Sequence, residues 1–349
     1  MTVAFVVNDI LTEKPTYTTT VLATRLHRAG HKVYLIGVGD LLFLPNDHMG
    51  ANACRVPDGE YADHNAYLEA MQGDEAVCEQ IEATDIDVLM LRNNPADETG
   101  SREWAKTAGI DFGLYAAEQG VIVLNDPNGL ARAMNKLYFQ RFPEVVRPRT
   151  LISRNVEEIK AFYEEQQDHI ILKPLQGSGG DGVFMIDKDN ATNLNQIVET
   201  LSNKGYIVAQ EFLPEASKGD IRMFVMNGEP LIVNGKYAAF LRQGADGDVR
   251  NNMTVGGKAV KADITPEILR MVELVKPQLI RDGMFLVGLD IVGEKMMEVN
   301  VLSPGGLFSA GELEGEDFVA EVIAALERKV RARDAYGGKF VNRFMSAVV

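Results

Sequence analysis

Apolar residues fall along the chain in short blocks that alternate between two periods. Val3 to Val7 (VAFVV) is an unbroken apolar run of strand length, Thr19 to Ala29 repeats at helical spacing and stops at Gly30, and HKVYLIGV returns to a strand run. Strand, loop, helix, glycine stop and strand make a βαβ unit, which requires a parallel pair. IDVLMLR (86–92) and VIVLN (121–125) predict further strands. The acidic, alanine-rich stretch Tyr61 to Thr84 and the segment Glu103 to Gln119 predict helices. Residues 1–128 are therefore expected to form a doubly wound α/β unit.

After Pro127 the pattern changes. Gly129 to Phe142 predicts a helix, ended by the Pro143/Pro148 region, and RTLIS predicts a short strand. Val156 to Gln167 and Asn193 to Asn203 predict helices. YIVAQEFL, DIRMFVMN, EPLIVNGKYAAF, FLVGLDIVG and KMMEVNV predict strands, joined by turn signals such as Asn227-Gly228. This half reads as α+β and mostly antiparallel, closed by helices at Pro266 to Asp282 and Glu316 to Arg333. Residues 335–349 carry weak signals, expected of a loosely held appendage or an interface.

Charge narrows the classes of function. With 35 basic against 50 acidic residues and a net charge of −15, the chain is a poor coat for nucleic acid. A polyanionic small ligand requires local cations or metal ions. The opening MTVAFVVNDILTEK meets acids and Pro15 before a long apolar core forms, so neither a signal peptide nor a membrane span is expected, and the expected location is the cytoplasm. Cys54 and Cys78 are expected as free thiols, with pairing as the alternative.

In ILKPLQGSGGDGVFMI (171–186), Gly177, Gly179 and Gly182 have the spacing of a dinucleotide-binding turn. Such a turn opens a helix, whereas the run after these glycines is a strand. A glycine loop between two antiparallel strands is either a plain turn or a flap whose bare N–H groups cover phosphates. Lys173, on the strand leading in, carries a charge suited to the same phosphates. Glu298 and Asn300, two apart, share a strand face, and the paired strand can bring Asp290 to that face. Three hard oxygen ligands in an apolar setting suit magnesium.

The ordered set VAFVVND, LMLRNNP, NDPNGLARAMNKLYFQRF, ILKPLQGSGGDGVF, VAQEFLP, GDIRMFVMNGEP, VGLDIVG and MEVNVLSP resembles the ATP-grasp ligases, and within them the bacterial glutathione synthetases. The resemblance implies an ATP-grasp fold with an amino-terminal Rossmann-like (pre-ATP-grasp) domain at 1–128, a small lid domain with the glycine-rich loop at 129–213, a carboxy-terminal domain with the metal ligands at 214–334, and a tail at 335–349. It places ATP against Lys136, Lys173, the loop residues Gly177, Ser178, Gly179, Gly180 and Gly182, the hinge strand Gln210, Glu211, Phe212 and Leu213, and Asp220 at the ribose. Arg222, Arg242, Arg250 and Asn252 are implied around the transferred phosphate. Asp290, Glu298 and Asn300 are implied to hold two magnesium ions, with manganese as an alternative.

The implied reaction converts an acceptor carboxylate to an acyl phosphate, which an amine then displaces; the resemblance implies γ-glutamylcysteine and glycine as the pair, giving glutathione with ADP and phosphate, and a homo-oligomeric assembly acting on such amino-acid or dipeptide substrates. On the acceptor side the resemblance points to Arg92, Ser303, Gly305 and Gly306. There the chain departs from the family pattern: Asn93 and Asn94 replace a lysine and an aspartate, and Pro304-Gly305-Gly306 replaces Pro-Thr. A ligase joining another amino-acid or peptide pair, and a non-catalytic nucleotide-binding protein of this fold, remain as alternatives.

Overall fold

The computed structural model describes residues 1–177, 182–244 and 258–349. The βαβ reading of the first residues holds: Thr2–Val7 lies parallel to Lys32–Gly37 on one side and to Val88–Leu91 on the other, and Val88–Leu91 is parallel to Ile122–Leu124. Helices Thr18–Arg28 and Ala105–Glu118 make the crossovers. The sheet is extended antiparallel by Leu41–Phe43, Met49–Arg55 and Val77–Glu82, giving seven strands.

That extension corrects two expectations. The stretch 61–84 is helical only over His64–Gln72, where Gly73 caps it, and its second half is the strand Val77–Glu82. Because this strand pairs with Met49–Arg55, Cys54 and Cys78 stand directly opposite each other with Cα atoms 4.0 Å apart, and they form a disulfide instead of two free thiols. A helix over residues 61–84 would not have produced that cross-strand pair.

A second sheet has the order Phe184–Ile186, Ile170–Pro174, Ile207–Glu211, Thr150–Ser153, all antiparallel. Helices Val156–Glu165 and Leu194–Ser202 cover it, with Ile159, Phe162, Val198 and Leu201 packed on Ile170, Leu172 and Ala209. The predicted helix 129–142 is broken into Pro127–Arg132 and a 3₁₀ turn, Lys136–Arg141. Gly129 lies so close to the Asp282 carbonyl that a Cβ would sit 1.9 Å from it, so this short helix is seated on the carboxy-terminal unit by backbone contact.

The third sheet has the order Lys258–Val260, Ala239–Gln243, Asp220–Met226, Leu286–Val292, Lys295–Asn300. Helix Pro266–Arg281 packs Met271, Val272, Val275 and Leu279 on one face. The other face starts with Phe224, Met226, Phe240 and Leu286 and turns polar at Arg222 and Asp290. A helix absent from the sequence reading, Leu307–Glu314, follows the last strand. The tail is packed, not loose: helix Asn342–Ala347 buries Met345, Ser346 and Ala347, and the Asn342 amide exchanges hydrogen bonds with the backbone of Val123 at 2.8 and 2.9 Å.

Candidate active site

Register puts the polar candidates on one face of the third sheet. Asp220 pairs with Arg242, Arg222 with both Phe240 and Asp290, Asp290 with Glu298, and Gly288 with Asn300. Cross-strand partners share a face, so five candidate charges and one amide converge from four strands. At the centre is Asp290, 3% exposed. It accepts from Arg222 Nε at 2.5 Å and Nη2 at 3.0 Å, from Arg242 Nη2 at 2.8 Å and from Asn300 Nδ2 at 3.1 Å. Burial opposes its ionisation, yet the Arg222 and Arg242 guanidinium groups outweigh burial and hold it below the usual carboxylate range. Asp220 also pairs with Arg242, and burial together with the Asp290 charge raises its pKa.

Two cavities flank this cluster. One, of about 620 Å³, lies between the second and third sheets and is lined by Lys136, Lys173, Gly177, Gln210, Glu298, Asn300 and Ser303, with Met134, Met297 and Leu302 as apolar wall. Lys173 Nζ donates to Gln210 Oε1 at 2.8 Å, and Lys136 Nζ to the Gly177 carbonyl at 2.7 Å. Burial lowers the pKa of both ammonium groups, that of Lys173 to about 8, against the opposing charge of Glu298. Two desolvated cations and one exposed carboxylate facing an apolar wall suit a phosphorylated ligand with a flat apolar part.

The other cavity, of about 820 Å³, lies between the first and third sheets. Arg222 and Arg242 line it from one side, and Glu13, Thr19 and Arg92 from the other. Arg92 Nη2 donates to the Pro304 carbonyl at 2.9 Å and Arg222 Nη1 to the Gly305 carbonyl at 3.1 Å, so two arginines hold the Pro304-Gly305-Gly306 loop. Gly306 has φ +101°, and a Cβ there would stand 2.6 Å from the Phe240 ring; both backbone and packing require glycine. Ser303 and Asn94 border both cavities. Asp290 thus sits in the partition, tied to arginines on one side and to Asn300 on the other.

The remaining sequence candidates fall elsewhere. Asp220 is held by Arg242 and does not line the 620 Å³ cavity. Glu211 pairs with Lys295 at 2.7 Å, Phe212 stacks on His169 at 4.5 Å, and neither they nor Leu213 border that cavity. Gly182, at φ +69°, packs against Pro174. Ser178, Gly179, Gly180, Arg250 and Asn252 lie outside the described residues.

Sequence reasoning missed residues whose place depends on the tertiary fold. Asn8, at the carboxyl end of the first strand, donates to the Asn94 carbonyl at 2.9 Å and to buried Glu98 at 2.7 Å, fixing the 92–98 loop. Asn125 donates to the Leu286 and Val301 carbonyls and accepts from the N–H groups of Phe285 and Leu286. That single amide joins the first sheet to the third. The available signal was position: polar residues directly after parallel strands sit where such sheets bind ligands.

Solved structures with this architecture define the class. D-cycloserine synthetase DcsG superposes with a TM-score of 0.61 at 12% identity, covering 93% of this chain and 99% of its own. The ATP-grasp ligase PsnB, solved with minimal precursor, Mg and ADP, gives 0.57 at 18% identity over 94% and 98%. The fold is that of the ATP-grasp ligases.

Sequence relatives narrow the class. Residues 135–315 match the model of the prokaryotic glutathione synthetase ATP-grasp domain and residues 1–131 that of its N-terminal domain. A glutathione synthetase of Vibrio parahaemolyticus is 35% identical over 72% of this chain and 77% of its own. One from Gloeobacter violaceus is 31% identical over 96% and 100%. The chain belongs to the prokaryotic glutathione synthetase family and is an ATP-dependent peptide ligase of a family that uses ATP and a divalent metal. Among the described residues no helix is long and apolar enough to cross a membrane.

Proposed function

We propose that the chain joins γ-glutamylcysteine to glycine at the expense of ATP, giving glutathione, ADP and phosphate. The observation that carries this reading is the partition between the cavities: Arg222 and Arg242 line the side away from Lys136 and Lys173, and Asp290 and Asn300 link the two sides. ATP would occupy the 620 Å³ cavity, its phosphates against Lys136 and Lys173, with Gly177 and Gln210 in its lining. Asp220 would keep Arg242 in place.

The acceptor carboxylate, in the 820 Å³ cavity, attacks the γ-phosphate, the bond from the γ-phosphorus to the bridging oxygen breaks and ADP leaves, giving an acyl phosphate. Arg222 and Arg242 neutralise charge on the transferring group as it crosses the partition. The amine of glycine then displaces phosphate, with Ser303, Gly305 and Gly306 beside it. A protein nucleophile is not required, and exclusion of water protects the acyl phosphate.

The donor set fits a hard divalent cation. The Glu298 carboxylate opens into the nucleotide cavity and, among the described residues, has no hydrogen bond or ion pair, while Asp290 and Asn300 add two oxygen-bearing side chains on the same face. Glu298, with Asp290 and Asn300, would hold two magnesium ions, or manganese in their place, which would supply positive charge against the ATP phosphates. The Asp290 oxygens are engaged by arginines, so Glu298 leads the set.

The altered loop Arg92-Asn93-Asn94-Pro95-Ala96-Asp97 favours one second reading, a different acceptor peptide with the same chemistry. Mass spectrometry of products from ATP, magnesium and a panel of acceptor and amine pairs tests both. Glutathione from γ-glutamylcysteine and glycine is the expected product; turnover only with other pairs overturns the substrate reading and leaves the ligase. A cytoplasmic homo-oligomer acting on small molecules, without nucleic acid or membrane, completes the proposal.

A further inference from the structure

The 820 Å³ cavity contains a carboxylate that the transfer chemistry does not use. Glu13 follows the first strand, in the loop that carries the 3₁₀ turn Ile10–Thr12. Asp9 caps that turn, accepting from Leu11 N at 2.9 Å, and from behind the Gln72 side chain donates to the Ile10 carbonyl at 2.8 Å and the Glu13 carbonyl at 3.2 Å. The backbone at Glu13 is therefore fixed, and its side chain lines the cavity with Arg92, Thr19 and Gly305. Among the described residues its carboxylate receives one long hydrogen bond, from Thr20 Oγ1 at 3.3 Å.

Arg92 is its counterpart. At 5% exposure it donates to Thr19 Oγ1 and to the Pro304 carbonyl, and the guanidinium has donors to spare. Glu13 and Arg92 influence each other through space without a direct ion pair among the described residues. Burial pushes Glu13 up to about 7 and Arg92 down to about 10, each only partly offset by the other's charge. A carboxylate and a guanidinium left short of partners in one cavity are complementary to a zwitterion, an ammonium and a carboxylate on neighbouring atoms.

We infer that Glu13 reads the free α-ammonium group of a γ-glutamyl acceptor, and so selects γ-linked over other carboxylates. The inference rests on the substrate reading above and deepens it. A γ-linked dipeptide keeps an intact amino-acid head at the end remote from its reacting carboxylate. With the reacting end at Arg222 and Arg242 on the carboxy-terminal wall, the head faces Glu13 and Arg92 on the amino-terminal wall. Glu13 is a specificity-determining group; the bonds made and broken lie on the opposite wall.

Steady-state kinetics of wild type and Glu13→Gln with γ-glutamylcysteine and with its deamino analogue, glutaryl-cysteine, test this. Wild type should prefer γ-glutamylcysteine about 10- to 100-fold in kcat/KM, the range expected for a charge-assisted hydrogen bond. Glu13→Gln should lose that preference through a raised KM for γ-glutamylcysteine, with kcat and the KM values for ATP and glycine unchanged. Equal use of the two acceptors by wild type overturns the inference without recourse to any variant, as does a preference that survives Glu13→Gln. A wild type inactive with γ-glutamylcysteine and glycine overturns the substrate reading, and this inference with it.

Discussion

Asp290 and Glu298 face each other across two paired strands and share a chemistry, yet their surroundings give them different work. Asp290 is buried and takes hydrogen bonds from two guanidinium groups and an amide, whereas Glu298 is open to the cavity. Asp290→Asn removes the charge that Arg222 and Arg242 share, leaving buried Arg222 without a carboxylate and Arg242 with Asp220 alone, so a stability loss of about 3–5 kcal/mol is expected together with loss of turnover. Glu298→Gln keeps the shape at a solvated position; its stability should stay within about 0.5 kcal/mol while turnover falls by about 100-fold or more. Urea midpoints and ADP release measure the two effects. A fully active Glu298→Gln would remove this residue from the metal set. The period-2 spacing of Glu298 and Asn300 was legible in the sequence because it is local; the placing of Asp220 against Arg242 was not, because it depends on the register between strands separated by a long segment.

At the scale of elements, patterns of period 2 and 3.6 identified most strands and helices where one face is buried. They failed where burial is shallow or tertiary. Val77–Glu82 is an exposed edge strand whose side chains, apart from Ile81 and Glu82, face solvent, so its acidic composition gave no alternation to read. The tail helix Asn342–Ala347 is short and held by a residue from another helix. Lys329, on Phe318–Ala335, is fully buried, and its Nζ donates to Asn227 Oδ1, to the Met345 and Ser346 carbonyls at 2.9 Å, and to Val349 O at 2.6 Å. Lys329→Met fills similar volume and leaves those oxygens without a donor. A loss of about 3 kcal/mol or more is expected, read as a lower urea midpoint, with faster amide exchange in residues 342–349. An unchanged midpoint would mean that the tail contributes nothing to the fold.

At the scale of the molecule, three sheets meet along two cavities, and in a chain of charge −15 Lys136 and Lys173 line one of them and Arg92, Arg222 and Arg242 the other. Asn125 and Arg92 tie the first unit to the third through backbone carbonyl and N–H groups, giving the 820 Å³ cavity two covalently distant walls in fixed relation. The 620 Å³ cavity is different, because Lys136 and Lys173 come from the side of the second sheet and Glu298 and Asn300 from the third. A ligand there bridges units and should stabilise the whole molecule. ATP with magnesium at about 100 times its Kd adds about 2.7 kcal/mol to the folded state, a rise of several degrees in Tm. Lys173→Met replaces a half-buried ammonium by an apolar stem of similar length, so the free protein should melt no lower than wild type while the ATP-dependent rise is lost. Differential scanning fluorimetry with and without ATP and magnesium decides it: a rise of equal size in Lys173→Met would place the phosphates away from this lysine, and with them the assignment of the 620 Å³ cavity to ATP.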